Sequence, residues 1–237
     1  MANIIFDGGN AAGPGNQALQ LTNDTVQGII DLVTAQLGDP GNIRWGVTAK
    51  LLPYLNLGIK ELINMKPEAF TAIIVTPLAG GARQALPPGA IFLVDVECTT
   101  DLSGNPASNV TLVDRLLMDK MFPGWLTYAG GDLIQYVIKD QRNPFYFYVF
   151  PAPPAGTTQS AALICTVYPQ EITDPTEIFP LDNNYIAAIV NYIVYRCLGE
   201  ETTVPGAIQK SQAYLQSFMQ AIGVTIASKA KSDAQDV

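Results

Sequence analysis

Apolar residues recur at helical spacing towards both ends of the chain, whereas its middle carries short β-rich runs. The helical spacing, with apolar side chains three or four positions apart, extends over residues 24–37, 51–65, 182–198 and 205–226. The β-rich runs are bounded by Gly and Pro and cover residues 71–77, 90–98, 133–138, 145–150 and 161–168. This order predicts an α+β fold in which the terminal helices form a bundle core and the strands form an antiparallel insertion.

Helix boundaries are predicted from residues that cap or stop helices. Asn23 or Asp24 is the expected N-cap of the first helix, because a side-chain oxygen there can accept from the free amides of the first turn. Gly38, followed by Pro40, is expected to end that helix. Asp182 is the expected cap of the third helix.

Composition divides the chain into five segments. Residues 1–21 are rich in Gly, Asn, Ala and Gln and have too little apolar surface to offset their ordering entropy, so a flexible arm is expected. Residues 22–66 and 180–227 are expected to form the two halves of the helical core, and residues 67–179 the inserted β-rich domain. Residues 228–237 read as a polar tail.

The composition of the chain indicates how its surface is used and whether it crosses a membrane. Charged residues make up 14% of the chain, against about 25% in typical soluble domains, and hydrophobic residues make up 48%. We therefore expect much of the surface to be covered by something other than water. No apolar stretch reaches the roughly 18–20 residues that cross a bilayer, and residues 1–9 lack a secretory pattern, so neither a membrane span nor a secretory signal is expected.

Charge is unevenly distributed along the chain. The net charge is −8, which argues against a surface that grips nucleic-acid phosphates. Residues 67–179 contain five basic and eleven acidic side chains, whereas residues 22–66 are neutral and residues 180–237 carry a net charge of −1. An acidic middle is therefore expected between two nearly neutral helical segments.

The chain contains no histidine, which excludes Ser-His-Asp and Cys-His catalysis and imidazole-dependent zinc sites. Cys98, Cys165 and Cys197 are odd in number and form no CxxC motif, so a disulfide framework is not expected. We expect these thiols to be buried and inert, in a protein made in a reducing cytoplasm. No catalytic residue, cofactor or metal site is predicted, and the chain is not expected to be an enzyme.

Two weaker patterns leave alternatives open. Asp95 and Glu97 alternate along one strand and could hold a hard cation, but without a third carboxylate a solvated strand face is favoured. A histidine-free, metal-dependent hydrolase is the corresponding alternative. The aromatic run at residues 145–148 could be a sugar- or base-stacking platform, although sheet packing and subunit contact are favoured.

The run at residues 52–62 (LPYLNLGIKEL), followed by KPEA at 66–69, resembles a motif of bacteriophage adaptor proteins that reads WLN-A-xx-EI and RPDA. Tyr54 stands where that family often has Trp. Further matches follow in the same order over about residues 50–225: Leu86-Pro87, Leu93 to Asp95, Met118-Asp119, Pro123 to Trp125, residues 145–151, Leu181-Asp182 and residues 185–196. The chain is therefore similar to the head-to-tail adaptors of short-tailed phages, also called connectors or tail tubular A-like proteins.

The resemblance implies a non-enzymatic ring, usually of twelve copies, at the head–tail junction of the virion. Its partners would be further copies of itself, the portal protein and the tail nozzle or tail tube protein, with tail fibres as an additional candidate. Genomic DNA would pass through the lumen without sequence-specific binding, and assembly would take place in the host cytoplasm. The alternative is a tail or nozzle protein that contacts host surface glycans.

Aromatic and arginine side chains within the matched motifs are the candidate interaction residues: Trp125, Tyr146, Tyr148, Tyr192, Tyr195 and Arg196. The acidic composition adds a hypothesis about the lumen. Carboxylates, and not Arg115 or Lys139, should line the channel, because they repel the phosphate backbone and let DNA slide.

Overall fold

The computed structural model describes residues 25–101, 105–128, 130–131, 133–201 and 203–223. Residues 1–21 and 228–237, predicted to be an arm and a tail, lie outside the described residues. The chain divides into two compact units. Phe70–Tyr168 form a β-rich unit, and the described residues on either side of this segment form a helical unit.

Within the described residues the fold is mixed, which confirms the α+β class. The α-helices are α1 (Val26–Leu37), α2 (Leu52–Met65), α3 (Arg115–Met121), α4 (Ile186–Glu200) and α5 (Ala207–Ala221). The strands are β1 (Thr71–Pro77), β2 (Arg83–Ala85), β3 (Phe92–Thr100), β4 (Pro106–Ser108), β5 (Thr111–Asp114), β6 (Tyr136–Lys139), β7 (Tyr146–Phe150) and β8 (Ser160–Thr166). None of the helices in the described part of the chain has the length and hydrophobicity that a bilayer span requires.

Helix α4 contacts α1, α2 and α5 within the helical unit. Its buried positions run round most of its circumference, as expected for a helix with neighbours on several sides. Helix α1, in contrast, buries one stripe, formed by Val26, Ile29, Ile30 and Val33. Gly58 of α2 lets this helix approach α4 closely, because a Cβ at that position would lie 2.9 Å from Tyr192 Cδ1.

The start of α1 differs from the sequence prediction. Asn23 and Asp24 lie outside the described residues, and the N-cap is Thr25, whose side chain makes no capping hydrogen bond. The predicted N-cap position is therefore one or two residues too early. The backbone amides of Val26 and Gln27 donate to the carbonyls of Glu177 and Pro175 instead, at 3.0 and 2.8 Å, so tertiary structure satisfies the free donors.

The other predicted helix signals are confirmed. Gly38 ends α1 in the left-handed conformation, with φ of 65°. The Asp182 carboxylate accepts from the Asn184 amide at 2.8 Å and caps a 3-10 turn, Asn183–Tyr185, that continues into α4. Helix α5 ends at Ala221, and its predicted end at residue 226 lies outside the described residues.

Two four-stranded sheets form the described β-rich unit. The first has the order β1-β8-β3-β4 and is antiparallel, whereas the second has the order β2-β7-β6-β5. Strand β5 runs parallel to β6, so the prediction of a wholly antiparallel insertion is wrong. A parallel pair needs a long crossover, which residues 115–135, including α3, provide.

The main core of the β-rich unit lies between its sheets. Ile74, Leu163 and Cys165 of the first sheet pack in one cluster with Val137 and Phe147 of the second. All three cysteines are free and buried, as predicted. The second sheet carries a further buried cluster on its other face, formed with α3 and the turn that follows it.

Candidate functional site

Strand β7 divides its side chains between the two faces of the second sheet. Phe147 is fully buried in the main core, whereas Tyr146, Tyr148 and Phe150 point to the opposite face because alternate residues of a strand do so. Helix α3 and the 3-10 turn Trp125–Thr127 cover part of that face through Met118 and Trp125. The aromatic run, for which sheet packing and subunit contact were predicted, therefore supplies one face to the core and one to a separate aromatic cluster.

An arginine–aspartate pair lies at the base of this cluster. Arg115 Nη1 lies 2.5 Å from Asp140 Oδ2, and the Asp140 side chain is only 5% exposed. The Arg142 amide donates to the other Asp140 oxygen at 3.1 Å. Burial alone would raise the pKa of Asp140, but these donors outweigh it and the pKa is lowered. The hydrogen bond to Asp140 raises the pKa of Arg115.

The same guanidinium connects the ion pair to the aromatic residues. Arg115 lies 5.1 Å from the centre of the Tyr148 ring, and its Nη1 also donates to Tyr148 Oη at 3.3 Å. Trp125 meets Tyr148 edge-on, with ring centres 5.5 Å apart. Trp125 is 3% exposed, and its indole N–H donates to Asp119 at 2.7 Å. Trp125 therefore packs inside its own unit.

Tyr146 is the more accessible tyrosine of β7. Its side chain is 38% exposed, and Arg83 of β2 stacks over its ring at 5.2 Å. Phe145, immediately before the strand, is 71% exposed. This end of the strand presents two aromatic rings and an arginine to solvent, a combination enriched at protein–protein interfaces.

The helical unit holds the other three candidate residues. Tyr192 is buried and packs edge-on against Phe218 and Tyr195, with ring centres 5.2 and 5.8 Å apart. Burial raises the pKa of Tyr192. Tyr195 and Arg196 are half-buried, and Arg196 stacks over the Tyr54 ring at 5.4 Å.

Tyr54, Lys50 and Glu200 form a polar group that the sequence analysis did not single out. The Tyr54 hydroxyl donates to Glu200, and Lys50 Nζ lies 2.7 Å from the same carboxylate. The hydrogen bonds from Lys50 and Tyr54 lower the pKa of Glu200. Lys50 and Glu200 lie 150 positions apart, so periodicity could not bring them together; the one available signal was Tyr54 at a family motif position.

The aromatic cluster around Arg115 and the polar group of Tyr54, Lys50 and Glu200 both lie within the part of the chain that a family comparison matches. The model of a family described as SU10 adaptor protein matches residues 24–236. The chain belongs to this family. The resemblance to phage head-to-tail adaptors is thereby confirmed, and the protein is a structural adaptor of a phage virion. A search of curated proteins returned no match.

As a member of the SU10 adaptor family, the protein is expected to present surfaces for protein contact, and the β-rich unit has a candidate for such a surface. A groove of about 430 Å³ opens beside the aromatic cluster, lined by Met121, Phe122, Pro123, Gly124, Trp125, Tyr128, Gln135, Phe150 and Pro151. Neighbouring apolar side chains are exposed: Leu116, Leu117, Leu126 and Leu133. Contiguous exposed apolar surface is typical of interaction sites.

A second groove of this adaptor, of about 420 Å³, lies in the helical unit between α2 and residues 171–173. The Asn56 side chain spans its wall by accepting from the Ile172 amide and donating to the Ile172 carbonyl, at 3.0 and 2.8 Å. Lys60 pairs with Glu171 at 2.6 Å. These polar groups partner one another, so their arrangement is structural.

In the part of the chain that the structure describes, the carboxylates and thiols that could carry chemistry are either separated from one another or buried. Asp95 and Glu97 are exposed, and the Asp95 carboxylate accepts from the neighbouring Val96 amide at 2.8 Å. Among the described residues, no three Cys, Asp or Glu side chains lie close enough to hold a metal ion. Burial raises the pKa of Cys165 and of Cys197 to about 12, which keeps both thiols protonated and unreactive at neutral pH.

Proposed function

We propose that this adaptor forms a ring between the portal and the tail nozzle, through which the phage genome passes. The observation that carries the proposal is the family match over residues 24–236, which includes both units. The proposal includes a dodecameric ring, portal and nozzle partners, and a non-enzymatic role in the neck of the virion. Tail fibres are a further proposed contact.

In this proposal the helices of residues 22–66 and 180–227 form a bundle that makes the ring body. Residues 67–179, as an inserted domain, supply additional contact surface. Low charge and exposed aromatic residues support such a role, because every copy of a ring covers two lateral and two axial faces.

The candidate interaction residues take two different roles in the proposal. Tyr146, Tyr195 and Arg196 have accessible surface and are proposed to contact a neighbouring protein. Trp125 and Tyr192 are buried, so their proposed role is to hold the contact surfaces in place. Half-buried Tyr148 connects the two roles through its contacts with Arg115 and Trp125.

The decisive experiment is to determine the state of the purified protein with and without portal. Native mass spectrometry and electron microscopy should detect closed rings, and these rings should bind portal. Electron microscopy of intact virus particles should place the protein in the neck. The proposal would be contradicted if the protein remained monomeric in the presence of the portal protein, or if it bound host glycans instead of the portal protein.

The proposed lumen is lined by carboxylates that repel DNA. Arg115 is paired with Asp140, whereas Asp95 and Glu97 are exposed. Rings carrying Asp95→Lys and Glu97→Lys should therefore retain double-stranded DNA at low salt, while wild-type rings release it. Made singly, each of these substitutions changes the charge by +2, as does Asp31→Lys at an exposed position of α1, so Asp31→Lys is the matched control and should behave as wild type. Equal DNA release by the wild-type, Asp95→Lys, Glu97→Lys and Asp31→Lys rings would contradict the acidic lumen.

A further inference from the structure

Strand β1 forms an edge of the first sheet. Its register with β8 pairs Thr71 with Thr166 through to Pro77 with Ser160. Among the described residues, β8 is the strand that pairs with β1, and no other strand covers its second edge. The strand therefore presents a backbone edge to its surroundings.

The backbone groups that point outwards from this edge follow from the hydrogen bonds at its two ends. Val167 donates to the Phe70 carbonyl at 3.3 Å, and Leu78 donates to the Gln159 carbonyl at 3.0 Å. Hydrogen-bonded and non-hydrogen-bonded pairs alternate along an antiparallel ladder. Because Phe70 and Leu78 belong to bonded pairs, the backbone N–H and C=O groups of the even-numbered residues of β1 point towards β8. The N–H and C=O groups of Thr71, Ile73 and Val75 consequently point away from the sheet.

This edge lacks the features by which proteins protect exposed strands. It is seven residues long and uncharged, its proline stands at the last position, and Ile73 is 47% exposed. The other described sheet edges are short or charged. Strand β4 pairs only with Thr99 and Thr100 of β3, and the rest of that edge of β3 carries the exposed Asp95 and Glu97. Strands β2 and β4 have three residues each, β4 begins with a proline, and β5 has four residues. A long, uncharged, β-branched edge is a template for adding another strand.

We propose that the outer edge of β1 binds an extended segment of a second copy of this chain. The proposal rests on the proposed ring function. An uncharged edge offers no cation to nucleic acid and matches the donors and acceptors of an extended peptide. Pairing β1 with a different segment of the next copy is a head-to-tail contact, which is the kind of contact that closes into a ring.

Proline substitution tests the backbone contact directly. Ile73→Pro and Val75→Pro each remove an outward-facing N–H and leave the ladder to β8 intact, so both variants should fold with the wild-type circular dichroism spectrum. Ile73→Thr is the matched control, since it keeps the N–H and the β-branched shape. The proline variants should raise the concentration for half-assembly by about tenfold or more, whereas Ile73→Thr should change it only a few-fold.

Hydrogen exchange of the wild-type protein provides a second measurement that does not depend on variant folding. The amides of Ile73 and Val75 should exchange quickly in the monomer and slowly in the ring. Rings that assemble normally with Ile73→Pro, or amides that stay unprotected in wild-type rings, would overturn the edge proposal alone. Failure of the wild-type protein to form rings with portal would overturn the ring function. In that case, slow exchange of these two amides in another self-associated form of the protein would still support edge pairing. Fast exchange in every form would overturn both proposals.

Discussion

Arg115 and Asp140 lie 25 positions apart in the sequence and form a 2.5 Å ion pair with a buried carboxylate. The pair ties α3 to the end of β6, and the same guanidinium stacks on Tyr148. Removing one partner of a buried ion pair leaves the other charge buried without an opposite charge. This lowers the free energy of unfolding by more than replacing both partners with neutral residues does.

Arg115→Met should therefore lower the free energy of unfolding of the β-rich unit by about 2–3 kcal/mol. Trp45 lies in the helical unit and Trp125 in the β-rich unit, and the chain has no other tryptophan. In a Trp45→Phe background, Trp125 fluorescence during urea unfolding reports the β-rich unit. Arg83→Met, which removes an exposed stacking arginine, is the control and should cost less than about 1 kcal/mol. The double variant Arg115→Met with Asp140→Asn should recover part of the loss, and equal losses for Arg115 and Arg83 would contradict the buried-pair argument.

The stability of the β-rich unit should decrease below about pH 4 through Asp140. Its folded-state pKa is lowered from 3.8, so the unfolded chain binds this proton more readily. The stabilisation is present above the ordinary pKa and is lost as the pH falls through the lower folded-state pKa. Urea unfolding of the protein with and without Asp140→Asn, both in the Trp45→Phe background and followed by Trp125 fluorescence, should give a stability difference that shrinks on acidification. A difference independent of pH between 7 and 3 would count against an ionised Asp140.

Gly58→Ala should destabilise the helical unit although alanine favours helices. The added Cβ would lie 2.9 Å from Tyr192 Cδ1, and overpacking of a core costs about 1–3 kcal/mol, more than the roughly 1 kcal/mol gained in helix propensity. Gly28→Ala in α1 is the matched control, because its Cβ would meet no atom within 4 Å, and it should stabilise the unit by about 0.5–1 kcal/mol. Thermal unfolding in a Trp125→Phe background, followed by Trp45 fluorescence, distinguishes the two, and a stabilising Gly58→Ala would show that α2 can move away from α4.

The native thiols should not react with a disulfide reagent at pH 8. Cys98, Cys165 and Cys197 are buried, and burial raises the pKa of the latter two to about 12. Full labelling of all three is expected only after unfolding in guanidinium. Ile73→Cys, at an exposed position, should label within the mixing time and serves as the positive control. Rapid labelling of the native wild-type protein would show that a core opens readily.

Elements with a strong local pattern could be predicted closely. Strand β1 was predicted at its observed bounds, because its β-branched run ends at Pro77. The predicted bounds of α4 differ from the observed ones by only a few residues, because its apolar positions extend over several turns. Strands β2 and β4 were missed since three residues contain no readable period, and α3 was missed because it has only seven residues and directly follows β5.

The sequence suggested candidate interaction residues but could not indicate their arrangement, and their role in contact stays a prediction. Motif matching selected Trp125 and Tyr192 without indicating that both are buried. The parallel pairing of β5 with β6 also escaped prediction, because strand direction depends on the path of the intervening chain.

The sequence by itself determined the α+β class, the absence of histidine chemistry and membership of an adaptor family, because periodicity, composition and ordered motifs are local properties of the chain. Only the tertiary structure decided that Arg115 meets Asp140, that Lys50 and Tyr54 meet Glu200, and that β1 leaves one edge open among the described residues. Such contacts join residues distant in sequence, and their geometry is set by how the elements pack.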